Sequence, residues 1–537
     1  MKIQFISFFN RYIIIIFLIL ITFLKLFSIY EIQKNRELPI EPDDTFVYFA
    51  QSFLGYEDNN RVKKTMQSAK DMVYSTYEQE EESLKKSKDV AIILSIEHFF
   101  VPTYFAYSKV LGFLSKYFHV DRLDLWWGLN YASQILILIS SFFLIQLYGG
   151  KLTNISKIIL IISSFFFVLS VKHHINATPM TIGASLLIIG NYFTLKKNYL
   201  IGFIIIFLSC HIHPGIFLIS TIFLGLYFTL FILDKEKKHF EIFIRLMLPL
   251  FLALIIEQFF NLFGINHYLG IFEQQYVGVG LSKLQGLDEI FILNYKATIN
   301  NFIKMIYPFV PFFFQNKKIV FLIYILSIIV AFKNSREIFI LNLMILISIL
   351  IGCFYFIALT HPGNMIYYQA QGMIPIISIT FFSMYFLLFN KISKIFKIKY
   401  PYLLIIFFSI IFIFNSYNYK KLIEVRTNRM NYENIIPQII EFERKVIKDK
   451  NDALIIGDEL TLYIFVSLFV DTHFYLDNEM RNDNKIWHSK VTSYKPKGFI
   501  GSLKNQKDKI EKNIKFGEQN YTFSKVKKFK DFYFLYD

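Results

Sequence analysis

"AIILSIEHFFVPTYFAYSKVLGFLSKYF", Ala91 to Phe118, decides how the chain is threaded. It is apolar enough to pass for a membrane-crossing helix, which needs about 20 mostly apolar residues. Yet it carries Glu97, His98, Pro102, Lys109 and Lys116. Ionisable groups are costly on a lipid-facing helix, whereas an amphipathic helix rests along a membrane surface. If this stretch crosses, every later basic connection falls outside. If it lies on the outer surface, they all fall inside, where loops carry an excess of Lys and Arg. The second reading is adopted: Ala91–Phe118 is expected to be a juxtamembrane helix on the outer face.

The rest of the chain fits a membrane protein. Of its 537 residues 54% are hydrophobic, with a mean hydropathy of +0.43. Runs such as "IIIIFLILITFL" (Ile13–Leu24) and "LIGFIIIFLS" (Leu200–Ser209) read as spans. The only cysteines, Cys210 and Cys353, sit in apolar runs, so neither a disulfide framework nor a zinc site is expected. The first span lacks a small-x-small cleavage site, and Lys25 interrupts its end, so it reads as a retained anchor. The net charge of +16 suits basic cytoplasmic loops and an anionic bilayer. No soluble basic domain is visible on the inner side, so nucleic acid is not an expected partner.

Threaded from an inner amino terminus (Lys2, Arg11), the spans are Tyr12–Ile29, Leu125–Leu147, Ile158–Val171, Thr178–Leu195, Tyr199–His211, Gly215–Leu233, Ile242–Phe263, Ile319–Phe332, Ile338–Leu359, Tyr367–Phe389 and Tyr400–Tyr417. Asn301–Phe314, broken by Pro308 and Pro311, reads as a second outer-surface helix. The expected fold is thus a polytopic α-helical membrane protein with about eleven transmembrane helices and outer-surface juxtamembrane helices. Residues 1–419 form the transmembrane domain, with a first outer loop at 30–124; residues 420–537 form a small extracytoplasmic α/β domain. In that tail Asn431–Lys448 and Glu459–Val470 read as helices. "DALIIG" and "HFYLD" read as strands, and "KKFKDFYFLYD" as a closing strand or hairpin.

This threading gathers polar groups on the outer face. Asp43 and Asp44 follow the first span; Lys172, His173 and His174 follow the third; His211 and His213 end the fifth in "CHIHPGIF"; His361 and Asn364 follow the ninth in "THPGNM". Each has a structural alternative. One aspartate suffices to cap the helix suggested by Phe46, Phe49, Phe53 and Leu54, and histidine sits comfortably at a helix end by the interface. The expectation is that Asp44 starts the helix and Asp43 faces a cavity. Histidine–metal ligation has no supporting carboxylate or cysteine spacing; a role in holding an anionic phosphate is the alternative.

Two motifs carry a resemblance. One is the acidic pair past the first span followed by Tyr48 and Ala50; the other is "EHFFVPTYFAYSKVLGFL", Glu97 to Leu114, running into the second span. In motifs and layout the chain resembles the GT-C superfamily of integral-membrane glycosyltransferases, which includes the aminoarabinose transferases and protein mannosyltransferases. The resemblance implies transfer of a sugar from a polyprenyl-phosphate-linked donor to an acceptor glycan, lipid or protein on the extracytoplasmic side of the inner or plasma membrane. It implies that Asp43 or Asp44 is the base or acceptor-orienting group. Lys172, His173, His174, His211, His213 and His361 would serve the donor phosphate, and Tyr48, Glu97, His98 and Asn364 would line the acceptor cavity. It allows a divalent cation, Mg or Mn, on Asp43 and Asp44, without requiring a cofactor. The rival readings are a polysaccharide polymerase or ligase acting on lipid-linked glycans, and a lipid or solute transporter. A transporter would be expected to place ionisable groups mid-membrane and to show inverted repeats, and neither is visible.

Overall fold

The structure is a computed structural model. It describes residues 105–148, 179–213, 215–262, 317–334, 336–355, 453–457, 473–477, 498–503, 510–516, 519–529 and 532–537, with scattered helical positions between 15 and 30, and Ile376. These residues are mostly helical, with a small carboxy-terminal sheet. The helices are α1 (Phe105–Phe118), α2 (Arg122–Tyr148), α3 (Pro179–Leu195), α4 (Tyr199–Ile212), α5 (Gly215–Asp234), α6 (Lys237–Leu262), α7 (Lys317–Asn334) and α8 (Arg336–Tyr355). Most of α2 and all of α3 to α8 belong to one compact unit; α1 and the sheet belong to another.

Two helical stretches, Asp124–Tyr148 and Lys237–Ile256, are long and apolar enough to cross a membrane. At 1.5 Å per residue α2 is about 40 Å long, more than the about 30 Å hydrocarbon core. The expected spans over Thr178–Leu195 and Tyr199–His211 are helices, but short ones of 17 and 14 residues. α4 reaches only about 21 Å. Of the eleven spans expected, those at Ile158–Val171 and Tyr400–Tyr417 lie outside the described residues, as does all but Ile376 of Tyr367–Phe389.

α3 is buried nearly all round, including Thr181, Ser185, Asn191 and Thr194. Its neighbour α4 comes close because both contribute glycine at the crossing. A Cβ on Gly190 would stand 3.2 Å from the Gly202 carbonyl oxygen, so any side chain there would push the backbones apart. Small residues at such crossings let helices associate where lipid gives no hydrophobic drive. α5 buries Ile216, Ile219, Ile222, Phe223, Leu226 and Leu230 inward. It is tied to α8 by the Thr221 and Ser348 hydroxyls, 3.1 Å apart. α8 is tied to α7 by the Tyr324 hydroxyl, which donates to the Asn342 carbonyl at 3.1 Å.

The outward faces are apolar. Ile244, Met247, Leu248, Phe251, Leu252 and Ile255 form an exposed stripe along α6, and Leu322, Leu326, Ile329 and Phe332 do the same on α7. Contiguous exposed apolar surface of this kind marks contact with a partner or a membrane; with the length of α2 and α6 it points to the bilayer.

Helices α3 and α4 are joined by a tight turn. Lys197 takes a left-handed φ of 65°. The Asn198 N–H donates to the Phe193 carbonyl at 2.9 Å, and the Lys197 N–H to the Thr194 carbonyl at 3.1 Å. This is the Schellman pattern, which satisfies carbonyls left over at a helix end. Asn198 then accepts from the Gly202 N–H and starts α4.

The sheet runs in the order β2-β1-β3-β7-β6, with β1 (Ala453–Gly457), β2 (His473–Asp477), β3 (Gly498–Ser502), β6 (Lys525–Lys528) and β7 (Phe532–Tyr536). β1 pairs in parallel with both β2 and β3; β7 is antiparallel to β3 and β6. β4 (Asn513–Phe516) and β5 (Gln519–Thr522) form a separate hairpin. "DALIIG" and "HFYLD" are strands as expected, and the closing segment is the hairpin β6–β7. β3, β4 and β5 were not foreseen. The expected tail helices Asn431–Lys448 and Glu459–Val470 lie outside the described residues. Parallel pairing of β1 and β2 requires a crossover between them. On β7, Phe532 to Leu535 are all buried, so both sheet faces are covered there.

Candidate functional site at the α4–α5 turn

The polar groups of the helical unit collect at its two ends. At one end lie the short turns α3–α4, α5–α6 and α7–α8. The Tyr148 and Tyr227 hydroxyls are 3.1 Å apart, which places the carboxy ends of α2 and α5 together. Phe143 stacks on Tyr192 with centroids 4.2 Å apart, aligning α2 with α3. Arg336 of α8 donates to the Asp234 carboxylate at the end of α5, and His239 Nε2 of α6 lies 3.6 Å from the same carboxylate. Tyr199, which opens α4, donates to Glu241 Oε1 of α6 at 3.2 Å, and the Arg245 guanidinium sits 4.6 Å from the centre of its ring. Lys196, Lys197, Lys235, Lys237, Lys238, Lys333 and Arg336 therefore share one end of the helical unit.

The other end holds the α4–α5 turn with His211 and His213. His211, in the last turn of α4, meets Phe207 edge-on with ring centroids 4.6 Å apart. His213 is the first residue past the helix, extended at φ −155°, and its carbonyl accepts from the Ile216 N–H at 3.1 Å. The residue is 8% exposed. Burial lowers its pKa to about 3, because the charged form loses its hydration. His213 is therefore neutral at physiological pH, with a donor and an acceptor nitrogen but no charge to set against a phosphate. The charged role expected of the pair would fall on its neighbours, and His213 would contribute a hydrogen bond.

Gly183 presses the first turns of α3 against this turn: a Cβ there would stand 3.0 Å from Ile216 Cγ1 and 3.3 Å from the Ser209 carbonyl oxygen. α3 begins at Pro179, five residues after His174 in sequence. The end carrying His211 and His213 is thus also the amino-terminal end of α3. Lys172, His173 and His174 lie outside the described residues, as do Asp43, Asp44, Tyr48, Glu97, His98, His361 and Asn364. Of the expected site, His211 and His213 alone are described, and they share one turn.

One polar feature escaped the sequence reading. Asn130, Ser133 and Gln134 are fully buried on one face of α2. Ser133 Oγ donates to the Asn130 carbonyl at 2.8 Å, and Gln134 Nε2 donates to Ser133 Oγ at 3.4 Å. The available signal was polar residues at helical spacing inside an apolar span, which face protein rather than lipid. Because α2 ends at the basic turns with Tyr148, this polar face belongs to its opposite half. Among the described residues no group of three or more His, Cys, Asp and Glu could hold a metal.

No protein-family model matches the chain, and no curated protein matches it. The functional reading therefore rests on the residues and on the layout of their elements.

Proposed function

We propose that the chain is a multi-pass membrane glycosyltransferase with a lipid-linked sugar donor, of the GT-C type it resembles, working at the outer end of a bundle of about eleven spans. The observation that supports this reading is the polarity of the helical unit. Its tight basic turns share one end, as cytoplasmic loops should, while the histidine turn lies at the other. With the basic turns in the cytoplasm, the histidines belong outside, on the side where the threading puts Asp43 and Asp44.

In the proposed reaction an acceptor hydroxyl or amide attacks the anomeric carbon of a sugar carried on a polyprenyl phosphate. The carrier C–O bond breaks, and the phosphate leaves with the bonding electrons. The acceptor proton passes to the carboxylate of Asp43 or Asp44, or is oriented by it. Hydrogen bonds and cations near the leaving phosphate stabilise its charge, and Lys172, His173, His174, His211, His213 and His361 are the groups proposed for it. Tyr48, Glu97, His98 and Asn364 are proposed for the acceptor side. Adjacent carboxylates are hard oxygen donors suited to Mg or Mn, which would add positive charge there. The threading proposes the outer side for the carboxy-terminal domain, 420–537, as well. Asp43→Asn and Asp44→Asn, each correctly inserted, are expected to abolish sugar transfer in membranes supplied with lipid-linked donor. Full transfer by both variants would overturn the assignment.

A further inference from the structure

The α5–α6 hairpin carries a groove of about 960 Å³ lined by two kinds of residue. Its apolar lining is Phe231, Ile232, Phe240, Ile244 and Leu248; its polar lining is Lys235 and Lys237 at the turn and Glu241 and Arg245 in the first turns of α6. The geometry points to a binding site for one anionic phospholipid of the cytoplasmic leaflet, with the headgroup phosphate at Lys235, Lys237 and Arg245 and an acyl chain along Ile232, Ile244 and Leu248. It rests on the membrane reading of α6 and of its basic end, not on the transferase chemistry.

The charge balance selects the ligand. Of the two acids at the turn, Asp234 is engaged by Arg336 and His239, and Glu236, which is not part of the groove lining, lies 3.7 Å from His239 Nε2. Glu241 accepts from the Tyr199 hydroxyl, and Arg245 lies over the same ring, so the tyrosine orients both side chains at the groove. Three cations then face the groove against one carboxylate. A zwitterionic headgroup would bring its own cation into this field; an anionic one would not. Leaflet surface charge attracts each such Lys or Arg by about 1 kcal/mol. The apolar wall is equally selective. Ile232, Phe240, Ile244 and Leu248 are exposed and continue into the stripe of α6, so a ligand with a phosphate alone would leave them uncovered.

The test is native mass spectrometry of the purified full chain after equilibration in mixed phosphatidylglycerol and phosphatidylcholine. The wild type is expected to retain phosphatidylglycerol in preference. K235Q/K237Q/R245Q is expected to lose that preference about tenfold, the size of about 1.4 kcal/mol. K235Q/K237Q, which keeps the Tyr199 contact, should show a partial loss. K196Q/K197Q removes two charges from the same end but none from the groove, and should keep the wild-type preference. Equal retention of the two lipids by the wild type would overturn the site, as would equal loss in the groove and control variants. Retention is read whichever way the chain faces and without donor or acceptor, so failure of the topology or of the transferase reading registers separately.

Discussion

Gly190 and Gly202 set the spacing of α3 and α4: a Cβ on Gly202 would stand 3.0 Å from the Gly190 carbonyl oxygen and 2.9 Å from the Thr194 backbone nitrogen. Backbone atoms cannot step aside as a flexible side chain can. Gly202→Val should therefore cost about 1–3 kcal/mol or more, seen as a fall in the melting temperature of the detergent-solubilised protein. Gly128→Ala, inside α2 with nothing within 4 Å, should instead raise the melt slightly, by the about 0.5–1 kcal/mol that alanine gains over glycine in a helix. Equal behaviour of the two would show that the crossing is not close.

The Tyr148–Tyr227 hydroxyl pair predicts non-additivity. Removing one hydroxyl strands its partner, so Tyr148→Phe should destabilise by about 1–2 kcal/mol. Adding Tyr227→Phe should recover part of that loss, because it removes the stranded Tyr227 hydroxyl while the buried Asn191 amide beside Tyr148 still lacks its hydroxyl neighbour. A double-mutant cycle of thermal stability measures the coupling.

His213 predicts an acid limb to stability. Its native pKa of about 3 lies below its ordinary value of 6.5. The unfolded chain therefore binds the proton more readily between those values. The stabilisation is full above about pH 6.5 and falls with pH by up to about 1.4 kcal/mol per unit toward pH 3. His213→Gln should flatten that limb between pH 7 and pH 5 in a series of thermal melts. An unchanged slope would mean that other groups carry it.

Lys197 predicts a gain. A left-handed φ strains a residue with a Cβ by about 1–2 kcal/mol, and glycine there gives back part of the relief as unfolded-state entropy. Lys197→Gly should stabilise by about 0.5–1 kcal/mol, visible as a higher melting temperature; a lower one would mean that the lysine side chain contributes more than the strain costs.

The two-ended layout predicts labelling from opposite sides. In a background with Cys210 and Cys353 replaced, Lys238→Cys should react with an impermeant thiol reagent only from the cytoplasm. Ser489→Cys and His119→Cys should react only from outside. Reaction of all three from one side would overturn the threading.

Helices were legible where apolar runs were long: the expected bounds for α3, α4 and α5 lie within a residue or so of those observed. That follows from the Lys, Pro and Gly residues that end each run. Lys237 of α6 was less legible, because the helix continues through charged residues at its start that hydropathy alone excludes. The strands "DALIIG" and "HFYLD" were visible as short β-branched and aromatic runs. β3, "GFIGS", was not, because glycine weakens a strand signal. Its reason is tertiary: a Cβ at Gly498 or Gly501 would run into the rings of Phe534 or Tyr533 on β7. At the site, the sequence marked His211 and His213 as notable, but not that one is too deeply buried to carry charge. The approach of α3 to this turn, Gly183 against Ile216 and the Ser209 carbonyl, is a contact remote in sequence.

The tight turns have a consequence for how such a chain can diversify. One residue separates α7 from α8, and two separate α5 from α6. The ion pair between Asp234 and Arg336 holds the two hinges together, and an insertion in either would lengthen the shortest links between these helices. The connection from α6 to α7, residues 263–316, departs from the opposite end. Length variation is therefore expected away from these two hinges.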